Sequence, residues 1–359
     1  MTVAGRTPWW AWVWPILAWV ILIAAKTLGE HGTVVAAASI ILIATVFAAV
    51  YHAEVVAHRI GEPFGSLVLA VAVTVIEVAL IVSIMISVPG KEGLARDSVF
   101  AVVMIVCNGI VGICLLAGGM RHREQGFQIQ GASAALAVLA ALTVLSLVLP
   151  NVTTSATGPE FSTPQLVFAG LVSLVLYAAF VFIQTVRHRD YFLPIDEHDT
   201  EGHAPPPSTT TTLVSAGLLI VALAAIVGLA KTLTPTVETL IEGWGAPKAV
   251  VGIIIAALVV MPEGLTAMRA AHANRLQTSL NLALGSALAS IGLTIPAVAA
   301  VAIILNQRLV LGLNAKDEVL LALTLLLGVI TLGTGRTTVL QGIIHLVVFA
   351  AFLFLAIVP

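Results

Sequence analysis

Two glutamates stand inside long apolar stretches of this sequence. Glu77 lies within Phe64–Val88, and Glu263 lies within Ala249–Met268. Each stretch has about the 20 residues that an α-helix needs to cross a bilayer. A carboxylate near the bilayer centre costs at least ~2.5 kcal/mol on insertion scales, so such residues are rare and usually mark an ion or proton pathway. Because each half of the chain has one, the pair predicts ion transport. The alternative is that both are neutral carboxyls that serve helix packing.

The residues around both glutamates could supply further oxygen ligands. Thr74 precedes Glu77 by one helical turn and Thr266 follows Glu263 by one turn, so each hydroxyl shares a helix face with its carboxylate. Pro262 has no backbone N–H, which frees a main-chain carbonyl next to Glu263. Hard cations prefer carboxylate and carbonyl oxygens. The sequence therefore predicts that Glu77 and Glu263 bind a metal cation or a proton, with Thr74 as a further ligand.

The apolar stretch that follows each glutamate also contains polar residues. Asn108 lies within Met104–Gly119, and Ser286, Ser290 and Thr294 follow one another at intervals of four residues on one helix face. We predict that Asn108, Ser286 and Ser290 contribute to cation binding. The alternative for each is a hydrogen bond to the preceding helical turn or a contact between helices.

Glu54 and His58 precede the first of these apolar stretches. They are candidates for a gate or for ion capture at the mouth of the pathway. The alternatives are that Glu54 pairs with Arg59 and that His58 is a hydrogen-bonded helix residue. His52 and His345 are also isolated histidines, and we interpret both as hydrogen-bonded helix residues.

The composition is that of an integral membrane protein. Of the 359 residues, 59% are hydrophobic and only 9% are charged, whereas soluble domains have about 25% charged residues. The apolar segments are continuous, which predicts helices and argues against a β-barrel. Eleven such segments predict an all-α, polytopic protein with about eleven transmembrane helices in a lipid bilayer. The net charge of −2 argues against a nucleic-acid partner, and no ATP-binding motif or other cofactor signature is present.

The eleven segments fall into four regions. Residues 1–30 contain an N-terminal transmembrane helix, whose Trp-rich start favours a retained helix at a membrane interface over a cleaved signal peptide. Residues 31–186 and 213–359 each contain five predicted helices, and residues 187–212 form a polar linker between them. Because five is odd, the two groups insert in opposite directions. This predicts two inverted five-helix repeats, with a substrate site at the bilayer midplane where the repeats meet.

Loop charges predict the orientation. Nine of the 16 Lys and Arg residues lie in loops on the side of the N-terminus, a modest excess that predicts a cytoplasmic N-terminus and a cytoplasmic linker. The linker contains an acidic cluster with two histidines, Asp196–His203. This cluster could bind a cation, but a solvated and flexible segment is the simpler interpretation.

Two longer motifs resemble the calcium/proton exchangers of the cation/calcium exchanger superfamily. Ala53–Ile81 is similar to the first repeat motif of that family, in which a Glu-containing approach leads to an intramembrane glutamate. Val250–Met268, followed by Asn281–Val298, is similar to the second repeat motif, in which a Gly-Ser span follows the glutamate. The resemblance covers the second to the eleventh predicted helix.

The sequence departs from the family pattern at two positions. Family members commonly have Gly-Asn-Ala-x-Glu at both glutamates, whereas Thr74 and Val260 occupy the two Asn positions here. This variant resembles the bacterial branch of sodium- or potassium-, and calcium-, proton antiporters. Two fewer amide ligands imply a weaker calcium site, since Ca²⁺ takes six to eight oxygen ligands.

The resemblance implies a secondary antiporter of the bacterial inner membrane. Such a protein would export Ca²⁺, Na⁺ or K⁺ in exchange for H⁺, with the cation and protons competing for Glu77 and Glu263. A cation channel is the alternative, although the acidic rings of channels usually come from several subunits. An intramembrane hydrolase is less favoured, because neither H-E-x-x-H nor G-x-S-x-G occurs in the sequence.

Overall fold

The computed structural model describes residues 7–28, 32–61, 64–87, 92–194, 206–243, 247 and 249–358. Within these residues, helices form eleven continuous runs, as the hydropathy predicts. In the same described part of the chain, nine runs are long and apolar enough to cross a membrane. The α-helices are α1 (Trp9–Leu28), α2 (Gly32–Ile60), α3 (Phe64–Ser87), α4 (Leu94–Met104), α5 (Val111–His122), α6 (Ile129–Thr143), α7 (Thr163–Phe182), α8 (Thr209–Gly243), α9 (Ala249–His272), α10 (Leu276–Ala289), α11 (Ile295–Ile304), α12 (Ala315–Leu332) and α13 (Val339–Ile357).

Several of these helices are joined or extended by π-helical segments. Ile105–Ile110 joins α4 to α5, and Ser290–Thr294 joins α10 to α11, so that each pair forms one span. Val144–Val148 extends α6, and Ile183–Arg187 extends α7. π-Helical turns are rare in proteins, and those that do occur are often at functional sites. The two joined spans are the third predicted helix of each five-helix repeat, so these two π-helical segments occupy matching places in the repeats.

The chain forms two compact units. The first unit comprises Met1–Pro89 and Thr200–Ala246, and it contains α1, α2, α3 and α8. The second unit comprises Gly90–Asp199 and Pro247–Pro359, and it contains the other helices. Each unit therefore combines helices from both predicted repeats.

In the first unit, α2 packs against α1, α3 and α8. Pro15 lies inside α1 and has no N–H for the carbonyl of Ala11, four residues earlier. The completely buried His52 of α2 supplies the missing donor, with its Nε2 at 2.9 Å from the Ala11 carbonyl oxygen. Next to this bond, Trp10 packs edge-on against Tyr51 with ring centroids 5.3 Å apart. His52 is thus a hydrogen-bonded helix residue, as predicted.

His52→Leu should lower the free energy of unfolding by about 1–3 kcal/mol, because the buried Ala11 carbonyl loses its donor. Pro15→Ala restores a backbone N–H for that carbonyl, so the double variant should recover part of the loss. Thermal unfolding of the purified protein in detergent measures both effects. If His52→Leu lowers the free energy of unfolding equally with and without the Pro15→Ala substitution, the explanation is wrong, since the two residues would then act independently.

In the second unit, hydrogen bonds connect loops at both ends of the helices. At one end, strand β1 (Gln125–Gly126) pairs antiparallel with strand β2 (Arg336–Thr337). At the other end, Glu160 and Val310 form an antiparallel β-bridge, and the Val310 N–H donates to the Glu92 carbonyl at 3.0 Å. In each case, the paired loops are ones that the sequence places on the same side of the membrane. This confirms the alternating direction of the spans from α4 to α13.

The first part of the predicted linker is structured. A 3₁₀ turn forms over Arg189–Phe192, and the buried Phe192 ring lies edge-on to Phe180 with centroids 5.8 Å apart. The Asn281 side chain donates to the Phe192 carbonyl at 2.6 Å. The acidic cluster Asp196–His203 lies outside the described residues.

Candidate cation-binding sites

Glu77 lies near the middle of α3 in the first unit, and its side chain is completely buried. Thr74, one turn earlier on the same face, is 7% exposed, and its hydroxyl has no hydrogen-bond partner among the described residues. Leaving a buried hydroxyl without a partner costs free energy. The two residues place a carboxylate and an open hydroxyl one turn apart within an apolar helix, and both groups can bind a cation.

Glu54 and His58 lie on α2, in its last two turns. Gly65 approaches Ala57 so closely that a Cβ on Gly65 would lie 2.4 Å from the Ala57 carbonyl oxygen. Counted from this contact, at a rise of about 1.5 Å per residue, Glu54 lies roughly 13 Å from Glu77 along the helix axis. This separation fits a role at the mouth of the pathway rather than beside Glu77.

Arg59 forms its hydrogen bonds away from Glu54. It donates to the Pro207 carbonyl and to the Thr209 hydroxyl, both at 3.2 Å. The described residues contain no ion pair between Arg59 and Glu54. A surface ion pair therefore does not explain the half-buried Glu54.

Glu263 lies on α9 in the second unit, directly after Pro262, and its side chain is half-buried. The helix continues without a break although Pro262 cannot donate to the carbonyl of Leu258. One turn later, Thr266 donates its hydroxyl to the Pro262 carbonyl at 3.1 Å. The helix is thus intact at Glu263, and the Leu258 carbonyl is the main-chain oxygen that the proline releases.

Small residues on α9 bring it close to the α4–α5 span. A Cβ on Gly252 would lie 2.9 Å from the backbone of Asp97. A Cβ on Gly264, next to the glutamate, would lie 2.8 Å from the side chain of Ile110, the last residue of the π-helical segment. These contacts make α9 parallel to the α4–α5 span, and α10 packs against both. The elements that carry the predicted ligands of this unit are therefore packed against one another.

Asn108 is completely buried in its π-helical segment, within a polar network. Its Nδ2 donates to Thr324 Oγ1 at 2.8 Å, and its Oδ1 lies 3.2 Å from His345 Nδ1. Thr324 donates its hydroxyl to the Leu320 carbonyl at 2.7 Å. His345 Nε2 lies 3.1 Å from Thr331 Oγ1. Both ends of the Asn108 amide therefore have side-chain partners, one on α12 and one on α13.

Sequence reasoning missed Thr324 and Thr331, because hydroxyl residues in membrane helices often bond only to the preceding turn. Their spacing of seven residues places them on one face of α12, and this spacing is the signal that could have identified them. The interpretation of His345 as a hydrogen-bonded helix residue is confirmed.

Ser286 lies on α10 and is half-buried. Ser290 begins the π-helical segment Ser290–Thr294 and is 6% exposed. Thr294, at the end of this segment, is completely buried. A Cβ on Gly292 would lie 2.8 Å from the Cβ of Tyr177 on α7. The two π-helical segments thus pack against the last helix of the opposite repeat, which is α13 in one case and α7 in the other.

Comparison with known proteins agrees with this architecture. The sequence matches the family described as sodium/calcium exchanger protein over residues 31–186 and 214–358, nearly the two predicted repeats. A Sinorhizobium fredii protein with the provisional name ionic transporter y4hA is 51% identical over 361 residues, which cover 99% of this chain and 98% of that protein. The sodium-potassium/proton antiporter ChaA of Escherichia coli is 36% identical over 347 residues, which cover 95% of this chain and 94% of ChaA. The solved structure of native YfkE has a TM-score of 0.75 at 17% identity, covering 97% of this chain and 100% of that chain.

Proposed function

Because the chain belongs to the sodium/calcium exchanger protein family, we propose that it is a secondary cation/proton antiporter of a bacterial inner membrane. The observation that carries the proposal is the pair of glutamates within apolar helices, each with further oxygen atoms close by on its own helix. The E. coli relative, which covers nearly the whole chain, is named for exchange of sodium and potassium against protons. The proposed substrates are therefore H⁺ and Na⁺, K⁺ or Ca²⁺.

Each glutamate would alternate between a proton and a cation. A protonated carboxyl is neutral, so it avoids most of the cost that a charge carries inside a bilayer. When it is deprotonated, the carboxylate is stabilised by the cation that it binds instead. Since one group cannot hold both at once, competition for Glu77 and Glu263 couples the two fluxes. The transmembrane gradient of either ion then supplies the driving force.

The proposed ligands differ between the two glutamates. At Glu77, the buried hydroxyl of Thr74 gains a partner when a cation binds beside it. At Glu263, the proposed oxygen ligands on the same helix and on neighbouring elements are the Leu258 carbonyl of α9, the Asn108 amide, and the hydroxyls of Ser286 on α10 and of Ser290 in the π-helical segment after it. Glu54 and His58 would capture the cation at the entrance or gate it.

The test is transport in inside-out vesicles that contain a pH-sensitive dye. With the interior acidified, addition of Na⁺, K⁺ or Ca²⁺ outside should raise the internal pH, because each entering cation releases protons. The order of the three cations gives the selectivity. A cation channel would instead carry current without moving protons, and such a result would overturn the proposal.

We also infer a cytoplasmic N-terminus. Because the spans alternate in direction, the loop between α12 and α13, which contains β2, must then also face the cytoplasm. The native Cys107 and Cys114 are buried, so a new surface cysteine can be labelled selectively. Thr334→Cys in this loop should react with a membrane-impermeant maleimide in inside-out vesicles but not in intact spheroplasts. The reverse pattern would invert the topology.

Val260→Asn should raise the apparent affinity for Ca²⁺ relative to Na⁺ and K⁺. Val260 is 1% exposed and lies three residues before Glu263, on nearly the same helix face. An amide there adds a neutral oxygen to a site that has too few for a strong preference for Ca²⁺. Competition between Ca²⁺ and Na⁺ in the vesicle assay measures the change. Val251→Asn is the matched control, because Val251 is also buried on α9, at 3% exposure, and the amide would lie about 18 Å from Glu263 along the helix axis. An equal gain in both variants, or no gain, would show that selectivity is set elsewhere.

A further inference from the structure

We propose that His345 is a positioning residue that holds the Asn108 amide with its oxygen available to the transported cation. This inference rests on the proposed role of Asn108 as a ligand in an antiporter. It assigns a function to a histidine of the last helix, far along the chain from both glutamates. The argument starts from the hydrogen-bonding roles that the network imposes on each side chain.

The Thr324 hydroxyl fixes which end of the Asn108 amide faces which helix. Its hydrogen goes to the Leu320 carbonyl at 2.7 Å, so in this arrangement its oxygen accepts from Asn108. The amide nitrogen of Asn108 then faces Thr324, at 2.8 Å, and the amide oxygen faces His345. This is the one amide orientation that keeps the bond from Thr324 to Leu320 and satisfies both contacts.

The same logic fixes the tautomer of His345. An amide oxygen only accepts, so the imidazole nitrogen at 3.2 Å from it, Nδ1, must carry the hydrogen. In a neutral imidazole the other nitrogen, Nε2, is then the acceptor, and the Thr331 hydroxyl at 3.1 Å can donate to it. Every polar atom of the ring has a partner, and His345 is 1% exposed.

This arrangement leaves one lone pair of the Asn108 oxygen for a cation. A carbonyl oxygen has two lone pairs, and His345 uses one of them. Without His345, only Thr324 holds the amide, and its hydroxyl can turn to donate to the amide oxygen. The amide could then rotate by 180° and present its NH₂ group, which repels a cation, in place of the oxygen. The loss should appear as a higher half-saturating cation concentration, roughly two- to tenfold for one hydrogen bond. The maximal rate should change much less.

The packing of α13 brings the imidazole to this position. A Cβ on Gly112 would lie 3.2 Å from the His345 Cβ, and α13 packs along both α5 and the π-helical segment. A side chain at position 112 would therefore push the histidine away from Asn108. The close approach of the helices thus places the ring at hydrogen-bonding distance from the amide.

Two amide substitutions separate the two sides of the ring. The short side chain of His345→Asn can place an N–H near the position of Nδ1, so it should retain most of the cation affinity. His345→Gln reaches toward Thr331 instead and should weaken binding, as should His345→Leu. Thr331→Val is a milder variant that leaves α13 unchanged. It releases Nε2 from its donor, so the other tautomer becomes accessible and affinity should fall by a smaller factor.

The experiment measures half-saturating Na⁺ and Ca²⁺ concentrations and maximal rates in vesicles with matched amounts of protein. His345→Leu is also combined with Asn108→Ala. The inference requires that His345→Leu weakens binding in the wild-type background and has no further effect when Asn108 is absent. An equal effect in both backgrounds would overturn it, as would equal affinities for His345→Asn and His345→Gln. If Asn108→Ala alone leaves affinity unchanged in a coupled exchanger, the ligand role of Asn108 is wrong. If no variant or wild type exchanges cations for protons, the proposed function itself is wrong.

Discussion

Glu77→Gln and Glu263→Gln are each expected to reduce cation/proton exchange to the background of empty vesicles. The amide has nearly the shape of the carboxyl, so packing around the completely buried Glu77 should be retained. It can neither release a proton nor present a negative charge to a cation, and both steps are needed in each cycle. Insertion into the membrane should be unaffected, because an amide costs less to bury than a carboxylate. The measurement is the internal pH change after addition of cation, at matched expression.

Glu124→Gln is the matched control for these two variants. Glu124 is half exposed, at 3.8 Å from Arg336 in a loop of the second unit, and it should exchange at the wild-type rate. Exposed ion pairs of this kind contribute at most about 1 kcal/mol. Wild-type exchange in either intramembrane variant would rule out competition for the carboxylates as the coupling mechanism.

Gly342→Ala is expected to destabilise the protein. A Cβ on Gly342 would lie 2.5 Å from the backbone nitrogen of Leu116 and 2.9 Å from the carbonyl oxygen of Gly112. These are main-chain atoms of α5, so they cannot rotate away, and the two helices must separate. Overpacking typically costs about 1–3 kcal/mol. The melting temperature in detergent should fall, and the half-saturating cation concentration should rise because α13 carries His345.

Gly217→Ala provides the comparison. This glycine lies on α8, and a Cβ there would have no atom within 4 Å. The same substitution should therefore leave the melting temperature unchanged or raise it slightly, since Ala favours the helix over Gly by roughly 1 kcal/mol. Equal changes at both positions would mean that the contact between α13 and α5 does not limit stability.

The eleven spans could be predicted from the sequence because each depends on local information. A run of about 20 apolar residues is sufficient to predict a transmembrane helix, and the cost of burying charge singles out Glu77 and Glu263 within such runs. The odd number of helices in each half predicts opposite insertion, and the loop contacts of the second unit agree with the resulting alternation.

The polar network could not be predicted, because its contacts join distant parts of the chain. Asn108 is 216 residues from Thr324 and 237 residues from His345. The partner of a side chain at such distances depends on helix rotation and on how closely two helices approach. The π-helical turn at Asn108 is also absent from the hydropathy pattern, since it changes the hydrogen bonding of the backbone without changing the apolar character of the segment.

The hydrogen bond between His52 and the Ala11 carbonyl could be predicted only in part. The sequence alone predicts that Pro15 leaves the Ala11 carbonyl without a helical donor. It does not indicate which side chain replaces that donor, because any polar residue on a neighbouring helix could do so. His52 does so because α2 packs alongside α1.

The long sequence separations in the second unit set an order of events during biosynthesis. At roughly 5–20 residues per second, the ribosome needs about 10–40 s to travel from Asn108 to Thr324. Throughout that interval the amide is in the bilayer without its partner on α12, and β1 is without β2. The first half of the chain must therefore persist in the membrane with an incomplete polar core. The hairpin of α12 and α13 supplies the missing partners, so this unit can close only after α13 has been synthesised.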